Sequence, residues 1–361
     1  MGSNINQIQK ITKNSKNKEI KTCDKCKKKA VINLAYGPHK FCEYHFNKFF
    51  ENRFKKTIRK YKLIKSKEKI LIALSGGKDS VTLLHLLNKF YKNSNTFSAL
   101  IIDEGVKGYR DNAVKVAIDE CKQNNVSYTV ISFKEEFNIT NDKIMPLILK
   151  NEKLGGTCAF CGTLRRNIMN KYAKKLNVDK IATGHNLDDE VQSFVMNVFN
   201  NDFKRLKRTG AEAGLIEHNG FVKRIKPLYL TPEKEIIAYC AFNNINHYSQ
   251  ACCPYSWTAK RNEYREMLNN FENRFPGTQF SIMRFNEKLK EELSPSEEKK
   301  RELKSKMKTC TICGEPTDKL ICKTCEMIKT LKKENKTKKE NKKNNSKKYN
   351  KKLTCYSTKY N

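Results

Sequence analysis

The sequence has little that would place it in or beyond a membrane. No stretch approaches the roughly 18 consecutive apolar residues that suggest a membrane span. Met1 to Ile20 is polar and has no apolar core of the kind that directs secretion. No membrane span or secretory signal is visible, and the expected location is the cytoplasm. Acidic residues are also scarce, with 38 Asp and Glu against 73 Lys and Arg, a formal net charge of +35. Part of the excess is local: Lys329 to Asn361 holds 13 Lys and 2 Glu, net +11, leaving +24 on the first 328 residues. A charge balance of that size points to a polyanionic partner, because neutralising phosphates releases counterions. Apolar residues make up only 38% of the 361, enough for one sizeable domain with a modest core plus small attachments.

Fourteen cysteines are present. In a cytoplasmic chain of this length, Cys-x-x-Cys pairs point to metal or redox chemistry in preference to disulfides. Cys23-x2-Cys26-x15-Cys42-x2-His45 offers four ligands in two tight pairs, as a tetrahedral structural zinc needs. Cys310-x2-Cys313-x8-Cys322-x2-Cys325 does the same with four thiolates. Neither set leaves a ligand position for substrate, so both ions are expected to be structural. Cys121 and Cys240 fall within helical patterns and are expected to be buried thiols, and Cys355 has no partner in reach.

Between the two modules, strand and helix signals alternate. Ile70 to Leu74 is a short continuous apolar run, as for a strand covered on both faces. Helical spacing follows over Val81 to Phe90, then a strand at Ala99 to Asp103, a helix over Asn112 to Asn124 and a strand over Val126 to Phe133. Thr163 to Leu176 reads as a basic helix, Lys180 to Thr183 as a strand and Asp188 to Phe199 as a helix. Pro227 to Leu230 closes a strand, with Thr231 as N-cap and Pro232 at the first position of the next helix. This alternation predicts an α/β fold with a parallel sheet, in which ligands bind beyond the carboxyl ends of the strands. The expected organisation is a disordered leader (1–20), an N-terminal zinc module (21–46), a linking helix (47–68), a main α/β domain with a helical C-terminal part (69–307), a C-terminal zinc module (308–327) and a disordered Lys/Asn-rich tail (328–361).

The strand at Ala73-Leu74 runs into Ser75-Gly76-Gly77-Lys78-Asp79-Ser80 and then a helix. Two glycines expose successive N–H groups, Ser75 and Ser80 add hydroxyls, Lys78 adds a compact charge, and the helix adds the positive end of its dipole. The glycine spacing is not that of a Walker A loop. Instead it resembles the PP-loop of the adenylating ATP pyrophosphatases, which implies cleavage of ATP to AMP and pyrophosphate. A second loop, Gly184-His185-Asn186-Leu187-Asp188-Asp189-Glu190, places adjacent carboxylates before a helix, suited to Mg²⁺ near a pyrophosphate. Asp103-Glu104-Gly105 is a weaker candidate for the same site, and the Ile102 backbone is a candidate contact for adenine.

Cys158-Ala-Phe-Cys161 is expected to lie in a glycine-rich loop (Gly155-Gly156) ahead of the basic helix, and Cys252-Cys253-Pro254 comes about ninety residues later. Neither completes a four-ligand zinc set. Three thiolates on a [4Fe–4S] cluster would leave one iron open to carry sulfur. A persulfide-forming cysteine with a resolving partner, a third zinc, and inert thiols are the competing readings. Cys253 is preferred over Cys252 because it directly precedes Pro254.

In order, the chain thus shows a zinc module, Ser-Gly-Gly-Lys-Asp-Ser, Cys-Ala-Phe-Cys-Gly-Thr-Leu-Arg-Arg, Gly-His-Asn-Leu-Asp-Asp-Glu, Cys-Pro-Tyr-Ser and a second zinc module. Over about residues 20 to 327 it resembles the tRNA 2-thiouridine synthetases of the archaeal and eukaryotic group. The resemblance implies ATP-dependent adenylation of the C2 carbonyl oxygen of a tRNA uridine, followed by replacement of AMP by sulfur. It implies cluster ligands at Cys158, Cys161 and Cys253, a nucleotide site over Ala73 to Ser80 with Gly184 and Asp189, and Arg165 near the ATP phosphates. The sulfur donor would be free sulfide or a ubiquitin-like carrier, and the assembly a homodimer. Residues 103–110 and Thr163-Leu164-Arg165-Arg166 look more like the branch acting on the anticodon wobble uridine than the T-loop branch. The alternatives are T-loop thiolation, another PP-loop tRNA modification such as cytidine thiolation, and a non-enzymatic zinc-bearing RNA-binding protein.

Overall fold

The computed structural model describes residues 22–148, 156–213, 220–249, 253–293, 296 and 307–332. The expected leader, Gly155, Cys252, Cys355 and nearly all of the lysine tail lie outside these residues. Among the described residues, no helix is long and apolar enough to cross a membrane.

Six strands form the central sheet: β3 (Lys69–Ala73), β4 (Thr96–Asp103), β5 (Ser127–Ser132), β6 (Lys180–Thr183), β7 (Glu212–Ala213) and β8 (Lys223–Ile225), in spatial order β5-β4-β3-β6-β8-β7. All neighbours run parallel except β7, which pairs antiparallel at the edge. The expected parallel α/β sheet is therefore present. In β3 the side chains alternate between two cores. Ile70 and Ile72 join one apolar cluster and Leu71 the other, and all three are fully buried, because helices cover both faces of the sheet. The chain winds outward from β3 to β4 and β5, then returns to place β6 on the other side of β3. The gap between the β3 and β6 carboxyl ends is thus the topological switch point, where a crevice opens.

Two small hairpins flank this sheet: β1 (Ile32–Leu34) with β2 (His39–Phe41), and β9 (Lys308–Thr309) with β10 (Pro316–Thr317). Helix α1 (Glu43–Lys60) begins inside the expected 21–46 module, so module and linker share one helix. Its Phe46, Phe50 and Phe54 recur every four residues and are fully buried. Phe50 stacks on Tyr239 at 4.3 Å, and Arg53 meets Glu235 at 2.5 Å. The N-terminal module is therefore welded to the main domain. The C-terminal hairpin is anchored through Glu315, which accepts from Asn170 and Lys174.

Two boundaries differ from expectation. Residues 227–230 are a turn, since β8 ends at Ile225. The following helix, Glu233–Phe242, starts one residue later than the Thr231 cap implied, with Pro232 at the N-cap position. Thr231 is fully buried and cannot serve; the Asp188 carboxylate accepts from the Glu233 N–H at 2.7 Å instead.

Candidate active site

The Ser75–Ser80 loop is closed by its own hydroxyls. Ser80 Oγ accepts from the Ser75 N–H at 3.1 Å and donates to the Gly77 carbonyl at 3.0 Å. Gly76 has φ +84°, and a Cβ there would lie 2.1 Å from the Ala113 carbonyl oxygen, so only glycine fits. The Gly76 carbonyl accepts from the Tyr248 N–H at 2.8 Å, and that of Ser75 accepts from Arg110 at 2.7 Å. The helix that follows, α2 (Lys78–Tyr91), has Gly77 as N-cap and no side-chain cap, so its first N–H groups face the crevice. Lys78 Nζ lies 2.6 Å from Glu233 and 3.1 Å from Asp79. Burial works against the lysine's charge, but Asp79 and Glu233 overcome it and hold its pKa above the ordinary lysine value.

The second loop packs directly on the first. A Cβ on Gly184 would come 2.9 Å from the Asp79 carbonyl carbon and the Ser80 nitrogen, so glycine is required there by close approach. Asn186 caps helix α3 (Leu187–Phe199) in a capping box with Asp189, and its amide donates to Asp79 at 3.0 Å. Burial, offset in part by Lys78, and the nearby Asp189 push the Asp79 carboxyl up. The expectation of adjacent carboxylates facing one metal is corrected here. Asp188 turns away to bind the Glu233 N–H and Gln279, and buried Glu190 binds Lys226 at 2.7 Å. Of this acidic run, Asp189 alone faces Asp79, because successive helical residues are rotated by about 100°. The carboxylates left facing one another beside the phosphate loop are thus Asp79 and Asp189.

The Cys158/Cys161 stretch is not a loop, as the glycines suggested; it forms the first turns of a helix, Thr157–Lys175, with Gly156 as N-cap. Cys158 is exposed, Cys161 and Cys253 half-buried. Burial raises the Cys161 thiol, Arg165 draws it back, and Glu104 and Cys253 push it up again. Burial also raises Cys253, with Cys158 and Glu104 adding to the effect. The three thiols thus share one electrostatic neighbourhood. They do not gather into the tight set that one ion needs: among the described residues, the groups whose ligand atoms all lie within 4.8 Å are Cys23, Cys26, Cys42, His45 and Cys310, Cys313, Cys322, Cys325. An all-thiol trio spaced more widely fits a multi-iron cluster better than a third zinc.

Arg165 belongs to both halves of the site. Its side chain is exposed. Cys161, then Glu104 and Cys158, raise its pKa. Glu104, the weaker metal candidate, is committed elsewhere. It is buried, pairs with Arg110 at 2.6 Å and reaches Arg165 at 3.5 Å. Arg110 also donates to the carbonyls of Ser75 and Ile102, so the Ile102 oxygen already has a partner. The sequence reading missed Arg110 and Glu233. Glu233 meets Lys78 across 155 residues, and Arg110 braces Ser75 as well as nearby Glu104, so no local pattern marks either role.

In both small modules the ligand atoms converge. His45 Nδ1 lies 3.4 Å from the Cys23 sulfur and 3.3 Å from that of Cys42, and Cys26 and Cys42 are 3.8 Å apart. Cys313 and Cys322 lie 3.5 Å apart. Zn–S bonds of about 2.3 Å in a tetrahedron set thiolates roughly 3.8 Å apart, so both sets fit such an ion. Buried Cys121 and Cys240 bear out the expectation of structural thiols, Cys240 lying 3.0 Å from the Thr82 hydroxyl.

A family model described as a PP-loop domain matches residues 43–271. A probable sulfurtransferase of Methanocaldococcus jannaschii is 37% identical over 87% of this chain and 89% of its own length. The tRNA-5-methyluridine(54) 2-sulfurtransferase of Pyrococcus horikoshii is 33% identical over 84% and 92%. Among solved structures, the U34-tRNA thiolase NcsA from Methanococcus maripaludis with its [4Fe-4S] cluster aligns with a TM-score of 0.72 at 30% identity, covering 86% of this chain and 96% of that one. The chain belongs to the PP-loop tRNA 2-thiolation family. Members of this family are enzymes, and the resemblance read from the motif order is borne out. So are the PP-loop α/β domain and, toward its two ends, cysteine clusters that could hold a metal ion.

Proposed function

We propose that this chain is a tRNA-uridine 2-sulfurtransferase that adenylates the C2 carbonyl oxygen of the anticodon wobble uridine and replaces AMP with sulfur. The observation that carries it is Arg165, which stands between the Glu104–Arg110 pair behind the PP-loop and the Cys158, Cys161 and Cys253 thiols. One side chain so placed can face both the activated nucleotide and the sulfur-bearing group.

Ala73 to Ser80, with Gly184, hold ATP; the Ile102 backbone lies beside adenine. The free N–H groups of α2, with Lys78 and Arg165, take up charge developing on the phosphates as pyrophosphate leaves. Asp79 and Asp189 hold Mg²⁺ on those phosphates, which balances their own like charge. A uridine oxygen is a poor leaving group, whereas AMP is a good one, which is why adenylation precedes sulfur entry. Cys158, Cys161 and Cys253 hold a [4Fe–4S] cluster, which supplies an open iron for sulfur. Two structural zinc ions fill the Cys₃His and Cys₄ sets. Free sulfide or a ubiquitin-like carrier supplies the sulfur, and the working assembly is a homodimer in the cytoplasm.

The wobble position is favoured over the T-loop by the likeness of residues 103–110 and 163–166 to the wobble branch. Nucleoside mass spectrometry of tRNA from a deletion strain tests the whole reading. Loss of 2-thiouridine at the wobble position supports it; loss at the T-loop moves the position, and unchanged tRNA rejects the function.

A further inference from the structure

Two arginines from separate elements face one another across the sheet face that carries the cysteine helix: Arg166 on the Thr157–Lys175 helix and Arg224 on β8. Arg224 is in parallel register with Ile181 of β6, and such neighbours project from the same sheet face. Ile181 packs with Leu164 and Ile168 of the Thr157–Lys175 helix, so Arg224 faces that helix. Arg166 curls back over Gly162, where an added Cβ would lie 3.2 Å from its NH1. Its guanidinium donates to the Thr163 hydroxyl at 3.4 Å.

The charge balance is lopsided. Arg110 and Arg165 share Glu104, and Arg205 has Asp202 at 3.2 Å on the exposed side. Among the described residues, neither Arg166 nor Arg224 has a carboxylate within ion-pair distance. Burial first, then Arg224, Arg165 and Arg205, bring the Arg166 pKa down to about 10, so the group stays charged at neutral pH but is crowded by like charge. Repulsion of this kind is relieved by an anion, and planar guanidinium forks match phosphate oxygens. The ATP phosphates have their own seat at Ser75–Ser80, so a different phosphate is called for.

We infer that Arg166 and Arg224 seat a backbone phosphodiester of the RNA strand that carries the target base. The inference rests on the proposed tRNA substrate: Arg166 follows Arg165 in the chain, so a base presented at Arg165 and the thiols brings its flanking phosphate to this cluster.

The test is tRNA binding to the full-length protein across a potassium chloride series, with ATP binding measured in parallel. Each lost phosphate contact flattens the log–log salt slope by about 0.7 on single-stranded RNA. The expected result for the Arg166→Gln/Arg224→Gln pair is roughly tenfold weaker tRNA binding, a slope flatter by about 0.7, as for one lost phosphate, and unchanged ATP affinity. Unchanged tRNA affinity and slope, or a loss confined to ATP, would overturn it. Should the pair fail to fold, the single change Arg166→Gln decides: weaker tRNA binding with a flatter slope supports the seat, and unchanged affinity and slope refute it. Wild-type protein that does not bind tRNA at all would sink the functional reading itself, a distinguishable outcome.

Discussion

Lys78 and Glu233 meet at 2.6 Å across 155 residues of sequence, joining the phosphate loop to the helix over Glu233–Phe242. The same helix start is capped by Asp188, so the acidic loop, the PP-loop and this helix form one braced unit.

Glu233→Gln should therefore weaken ATP binding several-fold, read by calorimetric titration. Its stability effect has a definite sign with pH. The folded Lys78 pKa is raised, so the pair's contribution is complete below the ordinary lysine value of 10.5 and fades as pH rises through the higher folded value. The melting-temperature gap between wild type and variant should stay constant from neutral pH to about 10 and close above it.

Gly76→Ala should abolish ATP binding and lower the melting temperature. The left-handed backbone alone costs about 1–2 kcal/mol with a side chain. The Ala113 carbonyl leaves the added methyl no room, so the loop must move. Retained ATP affinity in this variant would show that the loop does not hold the nucleotide.

Glu104→Gln leaves Arg110 buried without its carboxylate. Removing one partner of a buried ion pair costs about 3–5 kcal/mol, so urea unfolding should shift by that order. Arg165, released from the same carboxylate, should also support less turnover at saturating ATP in the remaining folded protein. A turnover number equal to wild type would deny Glu104 its positioning role.

Elemental analysis of the purified protein should find two zinc ions per chain. Cys23→Ser and Cys310→Ser should each remove one, with a lower melting temperature in both, because metal-binding energy is folding energy in small modules. A chain with full stability and no zinc would refute both sites.

Much of this was legible in the sequence because the signals are local. The phosphate loop, both four-ligand sets and the β3 run are short segments whose residue types dictate their geometry. The errors arose where geometry depends on distant residues or helical phase. Gly156 caps the Thr157–Lys175 helix without a side-chain hydrogen bond, so Cys158 and Cys161 resembled a loop. Asp188 and Asp189 look equivalent in sequence, yet the capping box with Asn186 selects Asp189 for the site, a spacing that could have been read. Glu104 was legible as a carboxylate at a strand end. Its commitment to Arg110 and Arg165 was not, since Arg165 comes 61 residues later and ion pairing across such a span leaves no sequence pattern.

The central claim is that one cleft both adenylates a tRNA uridine and supplies its sulfur through Cys158, Cys161 and Cys253. The direct measurement is anaerobic reconstitution with iron and sulfide, then incubation with ATP, sulfide and unmodified tRNA, with nucleosides read by mass spectrometry. The account predicts 2-thiouridine formed together with AMP and pyrophosphate, and none from the Cys158→Ala, Cys161→Ala or Cys253→Ala proteins, which should still bind ATP. Full thiolation by any of the three variants, or by cluster-free wild-type protein, would contradict it.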